Sequence, residues 1–214
     1  SAKLEYYRGD TIGWVEIEAE NVEIGGGTSS GSIDGKGTRM LFAGGYTPSS
    51  NPNDTFNNVD AITVETQGNS IDFNNLTANL TGMANFGDTT RAVAAGGVGP
   101  RSYSPGSTNN QIQFCTFASQ GDYADSGGDL TRTNMFMGCF NNKVRGVICG
   151  GSLPYSNTID YVTIQTLGNA VDYGDLSVLT GYPAGVSSST RGIILGGLVV
   201  GGSPASYNTI TMFT

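Results

Sequence analysis

An arginine, an apolar run and a glycine doublet recur four times along this chain: RMLFAGG at residues 39–45, RAVAAGG at 91–97, RGVICGG at 145–151 and RGIILGG at 191–197. Arg39, Arg91, Arg145 and Arg191 stand 52, 54 and 46 residues apart, and the doublets Gly44–Gly45, Gly96–Gly97, Gly150–Gly151 and Gly196–Gly197 keep step with them. Self-similarity at roughly 40 to 50 residues marks an array of small supersecondary units, none of which can bury its apolar face alone. The array must therefore be stabilised by packing one unit against the next.

Each unit reads as short strands. After the doublet comes a loop with Pro, Ser and Tyr, then a run of alternating β-branched or aromatic residues at 58–66, 110–119, 157–166 and 208–214. A further signature, GNSIDFNNL, GDYADSGGDL or GNAVDYGDL, follows in the first three units, and a less regular segment precedes each later arginine, at 83–90, 134–142 and 183–190. Four short strands per unit, with glycines at strand ends, predict an all-β fold: a small kelch-like β-propeller of four, or five, four-stranded antiparallel blades. Glycine fits where inner backbones crowd, because it lacks the Cβ that would forbid close approach or positive φ. The domain plan is an N-terminal β-hairpin, closing strand or anchor over 1–24, a Gly/Ser-rich linker over 25–37 and four repeats over 38–214. The last unit stops at its third strand, so the strand around 14–17 is expected to pair with 210–213 and lock the ring.

Composition narrows the partners. The 33 glycines suit many turns, and a formal charge of −8 with ten scattered basic residues would repel a phosphate backbone, which argues against nucleic acid. No apolar run approaches the roughly 18 residues of a membrane span. The first residues lack the pattern of a secretory signal. Beginning on Ser1 without a methionine, the chain is expected to be processed or to start inside a longer product. Cys115, Cys139 and Cys149, an odd number without CxxC spacing in apolar segments, are expected as buried free thiols.

The recurring apolar strand with its terminal glycine doublet resembles the kelch and galactose-oxidase-like propellers over residues 39–214, although the single tryptophan, Trp14, lies outside the array. The wording SNTIDYVTI at 156–164, GNAVDYGDL at 168–176 and SSSTRG at 187–192 is similar to the kelch-like repeat of structural proteins of marine tailed bacteriophages, especially cyanophages. The opening KLEYY at 3–7, followed by Gly9 and Trp14, is similar to a short module of phage head and tail appendage proteins. The resemblance implies a virion protein made in the host bacterial cytoplasm, partnered by other virion proteins and by copies of itself.

Candidate sites divide along the same line. With no histidine in the chain, Ser-His-Asp and Cys-His devices and the usual zinc and copper ligand sets are excluded, a copper radical oxidase among them. The expectation is of no enzyme, no cofactor and no metal. Asp72, Asp125, Asp129, Asp172 and Asp175 recur with the repeat and read as turn formers, not as the single carboxylate pair of a glycan hydrolase. Residues 51–60, NPNDTFNNVD, lack the glycine and glutamate of a calcium loop and read as a polar turn. The asparagines of the two NLT acceptor patterns, Asn75 and Asn79, are set aside in a protein made in bacteria. The four arginines are expected to brace adjacent strands or blades by pairing with acidic residues. Tyr46, Tyr103, Tyr155 and Tyr207, in the loops after the doublets, are the candidates for stacking on a cell-surface glycan. The leading expectation is a non-enzymatic capsid decoration or head/tail appendage, with a glycan-binding adhesin as the alternative and a glycan hydrolase the least favoured.

Overall fold

A computed structural model describes residues 5–7, 14–16, 39–46, 55–64, 68–100, 108–188, 190–199, 206 and 208–214. Among the described residues there is no helix; the regular structure is strand alone, in antiparallel pairing. The chain opens with β1 (Glu5–Tyr7) paired to β2 (Trp14–Glu16). The first sheet orders β3 (Arg39–Tyr46), β4 (Thr55–Thr63) and β5 (Ile71–Asn75). The second orders β6 (Ala84–Gly87), β7 (Arg91–Ala95), β8 (Gln111–Thr116) and β9 (Ala124–Asp129). The third orders β10 (Gly138–Asn141), β11 (Arg145–Cys149), β12 (Thr158–Thr163) and β13 (Val171–Asp175). A minor ladder joins β14 (Thr180–Gly181) to β17 (Leu198–Val199), and the fourth sheet orders β15 (Ala184–Ser187), β16 (Gly192–Leu195) and β18 (Ile210–Phe213).

The segment ahead of each later arginine pairs with that arginine's own strand and so begins its sheet: β6 pairs β7, β10 pairs β11 and β15 pairs β16. The two strands are joined by a turn in which Asp88, Asn142 or Ser188 accepts the backbone N–H of the arginine, and this local device fixes the partner. Among the described residues the expected pairing of 14–17 with 210–213 is not found: β2 takes β1 as its partner and β18 takes β16. A nearby partner closes a much shorter loop at lower entropic cost. The linker at 25–37 lies outside the described residues.

Sheets pack on one another in series, with the first strands β6, β10 and β15 adjacent. Alternation sends one side chain set of each sheet forward and the other back, and three apolar cores result. Leu41, Val59 and Ala61 of the first sheet meet Ala92, Ala94 and Cys115 of the second. Val93, Ala95 and Ile112 then meet Ile148 and Val162 of the third. Cys149 and Ile159 in turn meet Ile194 of the fourth. The doublets occupy one repeated place. Gly44, Gly96, Gly150 and Gly196 hold φ of 63, 68, 65 and 58°. The next residue donates its N–H to the carbonyl of Leu80, Asn134 or Thr180, at 3.0, 2.9 and 2.8 Å for Gly45, Gly97 and Gly151. A side chain on the first glycine would meet that same carbonyl, at 2.3, 2.9 and 2.5 Å.

A second close approach sets the spacing of the sheets. A Cβ on Gly146 would stand 2.1 Å from the Phe86 ring, and one on Gly192 would stand 2.0 Å from the Phe140 ring. Both rings are buried. Gly146→Ala is expected to cost about 1–3 kcal/mol through overpacking, with part of the loss recovered in combination with Phe86→Leu, as read by denaturant melts of the single and double variants.

Cys115 and Cys149 are buried, Cys139 is half-buried, and all three are free thiols. Burial raises the Cys149 thiol far above its ordinary range and raises Cys115 as well. In the native protein at pH 8 a thiol reagent is expected to leave these two unmodified, while denaturation exposes three reactive thiols. Unfolded thiols ionise near pH 8.5 but the folded ones do not, so the folded state binds more protons and stability falls as the pH rises above about 8.5. Melts between pH 7 and 10 measure that fall.

Candidate functional site

The recurring polar residues sit at the junctions between sheets. A bulge shifts the register at Val59/Asp60 and again at Ile159/Asp160, and in the second sheet between Gln111 and Gln113. Beyond it Asp60 faces Asp72, Gln113 faces Asp125 and Asp160 faces Asp172. The inner member is buried in two units and works as an acceptor: Gln113 Oε1 takes the N–H and hydroxyl of Thr77 at 3.0 Å each. The Asp160 carboxylate takes the same two groups of Thr131, at 3.2 and 2.8 Å. The outer member closes a turn, Asp125 accepting from Gly127 N–H and Asp172 from Gly174 N–H. That backbone bond lowers the Asp125 pKa below the usual carboxylate range. Arg132, partly desolvated, has its pKa lowered by burial and is held charged by Asp160, Asp175 and Asp172. Paired carboxylates therefore exist in the first and third sheets, Asp60 with Asp72 and Asp160 with Asp172, and of these Asp160 holds Thr131 while Asp172 closes a turn.

Three of the four arginines lie over aromatic rings. Arg39 lies 6.0 Å from the Phe73 centroid, Arg91 5.1 Å from Phe114 and Arg145 4.6 Å from Tyr161. Arg91 also reaches the following sheet, donating from Nη1 to the carbonyls of Ile164 and Gln165. Gln165 returns the contact by donating to the Asp88 carboxylate and, at 2.7 Å, to Thr90 Oγ1. The partners of Arg39, Arg91 and Arg145 are rings and carbonyls where acidic residues were expected, because the strand register places residues such as Phe114 and Tyr161 beside the arginines, while Asp125 and Asp172 close turns.

One unit further on, the corresponding place is open. Between the third and fourth sheets lies a cleft of about 140 Å³ lined by Arg145, Tyr161, Tyr173, Ser188, Thr190, Arg191, Phe213 and neighbours. Tyr161 and Tyr173 meet edge to face at 6.1 Å, and Phe140 and Phe213 close the floor at 5.1 Å. The volume is below the roughly 300 Å³ at which drug-sized pockets begin. Two guanidinium groups, two phenols and several hydroxyls at that scale suit one small anionic or sugar-like group, and the lining holds neither a carboxylate pair nor a base beside a nucleophile. Among the described residues no cluster of three or more His, Cys, Asp or Glu side chains could hold a metal ion.

Of the tyrosines singled out from sequence, Tyr46 is exposed at the end of β3 and Tyr155 is half-buried with its ring against Gly181. Tyr103 and Tyr207 lie outside the described residues. The tyrosines that reach the cleft are Tyr161 and Tyr173, which sequence reading missed. The signal was present in the DYV and DYG wording, where an aromatic follows Asp160 and Asp172, as Phe73 follows Asp72.

No protein-family model matches the chain, and no curated protein matches it by sequence. The architecture is widespread, with 147 solved chains matching. One of them, described as "Structure of YjhT", aligns over 83% of this chain and 78% of its own length with a TM-score of 0.55 and 11% identity. At that identity the likeness is one of fold alone, and a common fold hosts many functions.

Inner and outer carboxylates should separate in their effects on stability. Asp160→Ala is expected to cost about 1.5–3 kcal/mol by leaving the Thr131 N–H and hydroxyl without their acceptor, and exposed Asp72→Ala less than about 1 kcal/mol, in chemical denaturation. Equal costs would contradict the division of roles.

Proposed function

We propose that this chain is a non-enzymatic structural module of a tailed-phage virion, its four units forming a small kelch-like propeller displayed on the head or tail. The reading is carried by one observation: the residues that recur in every unit are spent on packing sheet against sheet. The first doublet glycine abuts a carbonyl of the crossover, Gln113 and Asp160 hold Thr77 and Thr131, and Leu76, Leu130 and Leu176 are buried. An enzyme gathers unlike residues once, at one place, whereas this chain repeats like residues at each junction. The likeness of residues 156–192 to the repeats of marine phage structural proteins supplies the setting, with other virion proteins and further copies of the chain as partners. Purified particles of a phage encoding this chain, probed with an antibody raised against it, should carry regular label on head or tail; absence of the polypeptide from such particles by mass spectrometry would overturn the proposal.

A second reading, a glycan-binding adhesin, is favoured by the Tyr161–Tyr173 pair beside Arg145 and Arg191 in the cleft. Binding of acidic and neutral monosaccharides, followed by tyrosine chemical shifts, should be lost in Arg145→Ala if this reading holds.

A further inference from the structure

Charge is unevenly placed around the recurring arginines. The chain carries 18 acidic side chains against 10 basic ones, yet two of those basic residues, Arg145 and Arg191, line the cleft between the third and fourth sheets, and among the described residues no aspartate or glutamate does. The position three residues before each arginine shows how this arises: it is Asp88 before Arg91, Asn142 before Arg145 and Ser188 before Arg191. All three serve the turn in one way. Asp88 Oδ1 accepts the N–H groups of Thr90 and Arg91, Asn142 Oδ1 those of Val144 and Arg145, and Ser188 Oγ those of Thr190 and Arg191. The turn therefore needs an acceptor but not a charge, and the two turns that border the cleft carry neutral ones.

The guanidinium groups also differ in what engages them. Arg91 lies over Phe114 and donates to two carbonyls of the third sheet, one of them that of Gln165, whose side-chain amide is bonded to Asp88. Among the described residues Arg145 has the Tyr161 ring alone, at 4.6 Å, and the Arg191 guanidinium has no hydrogen-bond, ion-pair or ring partner. The hydroxyls of Tyr161 and Tyr173 have no hydrogen-bond partner there either. Both arginines are exposed, so a ligand arriving from solution can reach them. A guanidinium presents only donors, in a planar fork that matches the two oxygens of a carboxylate. One exposed ion pair contributes little, so selection for an anion here depends on two guanidinium groups bordering one cleft together with its rings.

We propose that this cleft binds a carboxylate-bearing pyranose, its carboxylate held by Arg145 and Arg191 and its ring laid against Tyr173. The inference rests on the glycan-binding reading above and narrows it to acidic sugars. Size sets the unit: the cleft measures about 140 Å³, and a cavity of about 150 Å³ holds a single benzene molecule, so one six-membered ring is what fits. Tyr161 is already engaged by Arg145, whereas Tyr173, 54% exposed, is free to offer an apolar platform to the C–H face of a sugar. The unpartnered phenol and Thr190 hydroxyls remain for the ring hydroxyls of the ligand.

Glucuronate, glucose and acetate, titrated separately into the full chain while the ring resonances of Tyr161 and Tyr173 are followed by NMR, test the assignment. Glucuronate should shift both rings and bind at least about tenfold more tightly than glucose or acetate. Arg191→Gln should weaken that binding at least about tenfold with the melting temperature unchanged, because the side chain has no partner to lose. Asn142→Asp keeps the acceptor that the turn needs, as Asp88 does, but sets a carboxylate at the cleft, and it should weaken glucuronate binding as well. Glucose binding as tightly as glucuronate would overturn the proposal and leave the glycan-binding reading in place. Acetate matching glucuronate would overturn it by showing an anion site without sugar recognition, and no shift with any of the three would remove both readings. Glucuronate binding that persists undiminished in Arg191→Gln and Asn142→Asp would put the ligand elsewhere and overturn the assignment.

Discussion

Every sheet in this protein has two faces to bury and no helix among the described residues to cover either. That constraint organises the rest. Each sheet must be covered by the next, so the molecule is held together by a series of junctions and not by one central core. The apolar residues divide accordingly, alternate positions of one strand serving two different junctions. Stability in such an array is nearly a sum of junction terms, and the end sheets carry the uncovered surfaces.

The junctions are made close by subtraction of side chains. Gly146 and Gly192 admit the rings of Phe86 and Phe140, and the doublet glycines let a crossover carbonyl approach a strand end. Large aromatic rings then supply contact area that the small residues opposite them do not. Polar groups caught in these junctions are paired across them: Gln113 with Thr77, Asp160 with Thr131, Arg91 with the carbonyls of Ile164 and Gln165.

Much of the fold was legible in the sequence because the repeat is written in backbone requirements. A glycine doublet at strand ends and alternation in three of four units each have a local cause, and strands appear within a few residues of the places read for them; β4, for instance, runs Thr55–Thr63 where 58–66 was expected. The site was less legible. Tyr46 and Tyr155 are conspicuous in sequence as loop tyrosines, yet the cleft is built from strand residues Tyr161 and Tyr173, whose meeting depends on the pairing of β12 with β13.

The amino-acid sequence by itself determined the all-β class, the four-fold repetition, the free thiols and the lack of histidine-based chemistry, because composition and short-range backbone geometry decide these. Tertiary structure alone decided which carboxylate is buried as an acceptor and which is left in a turn, and which arginine finds a carbonyl and which borders a cleft. Those outcomes depend on the packing of one sheet against another, between residues 30 to 75 positions apart in cases such as Thr77 with Gln113 and Arg91 with Gln165. A local pattern specifies the strand and its faces, but only the neighbouring sheet determines what each face meets.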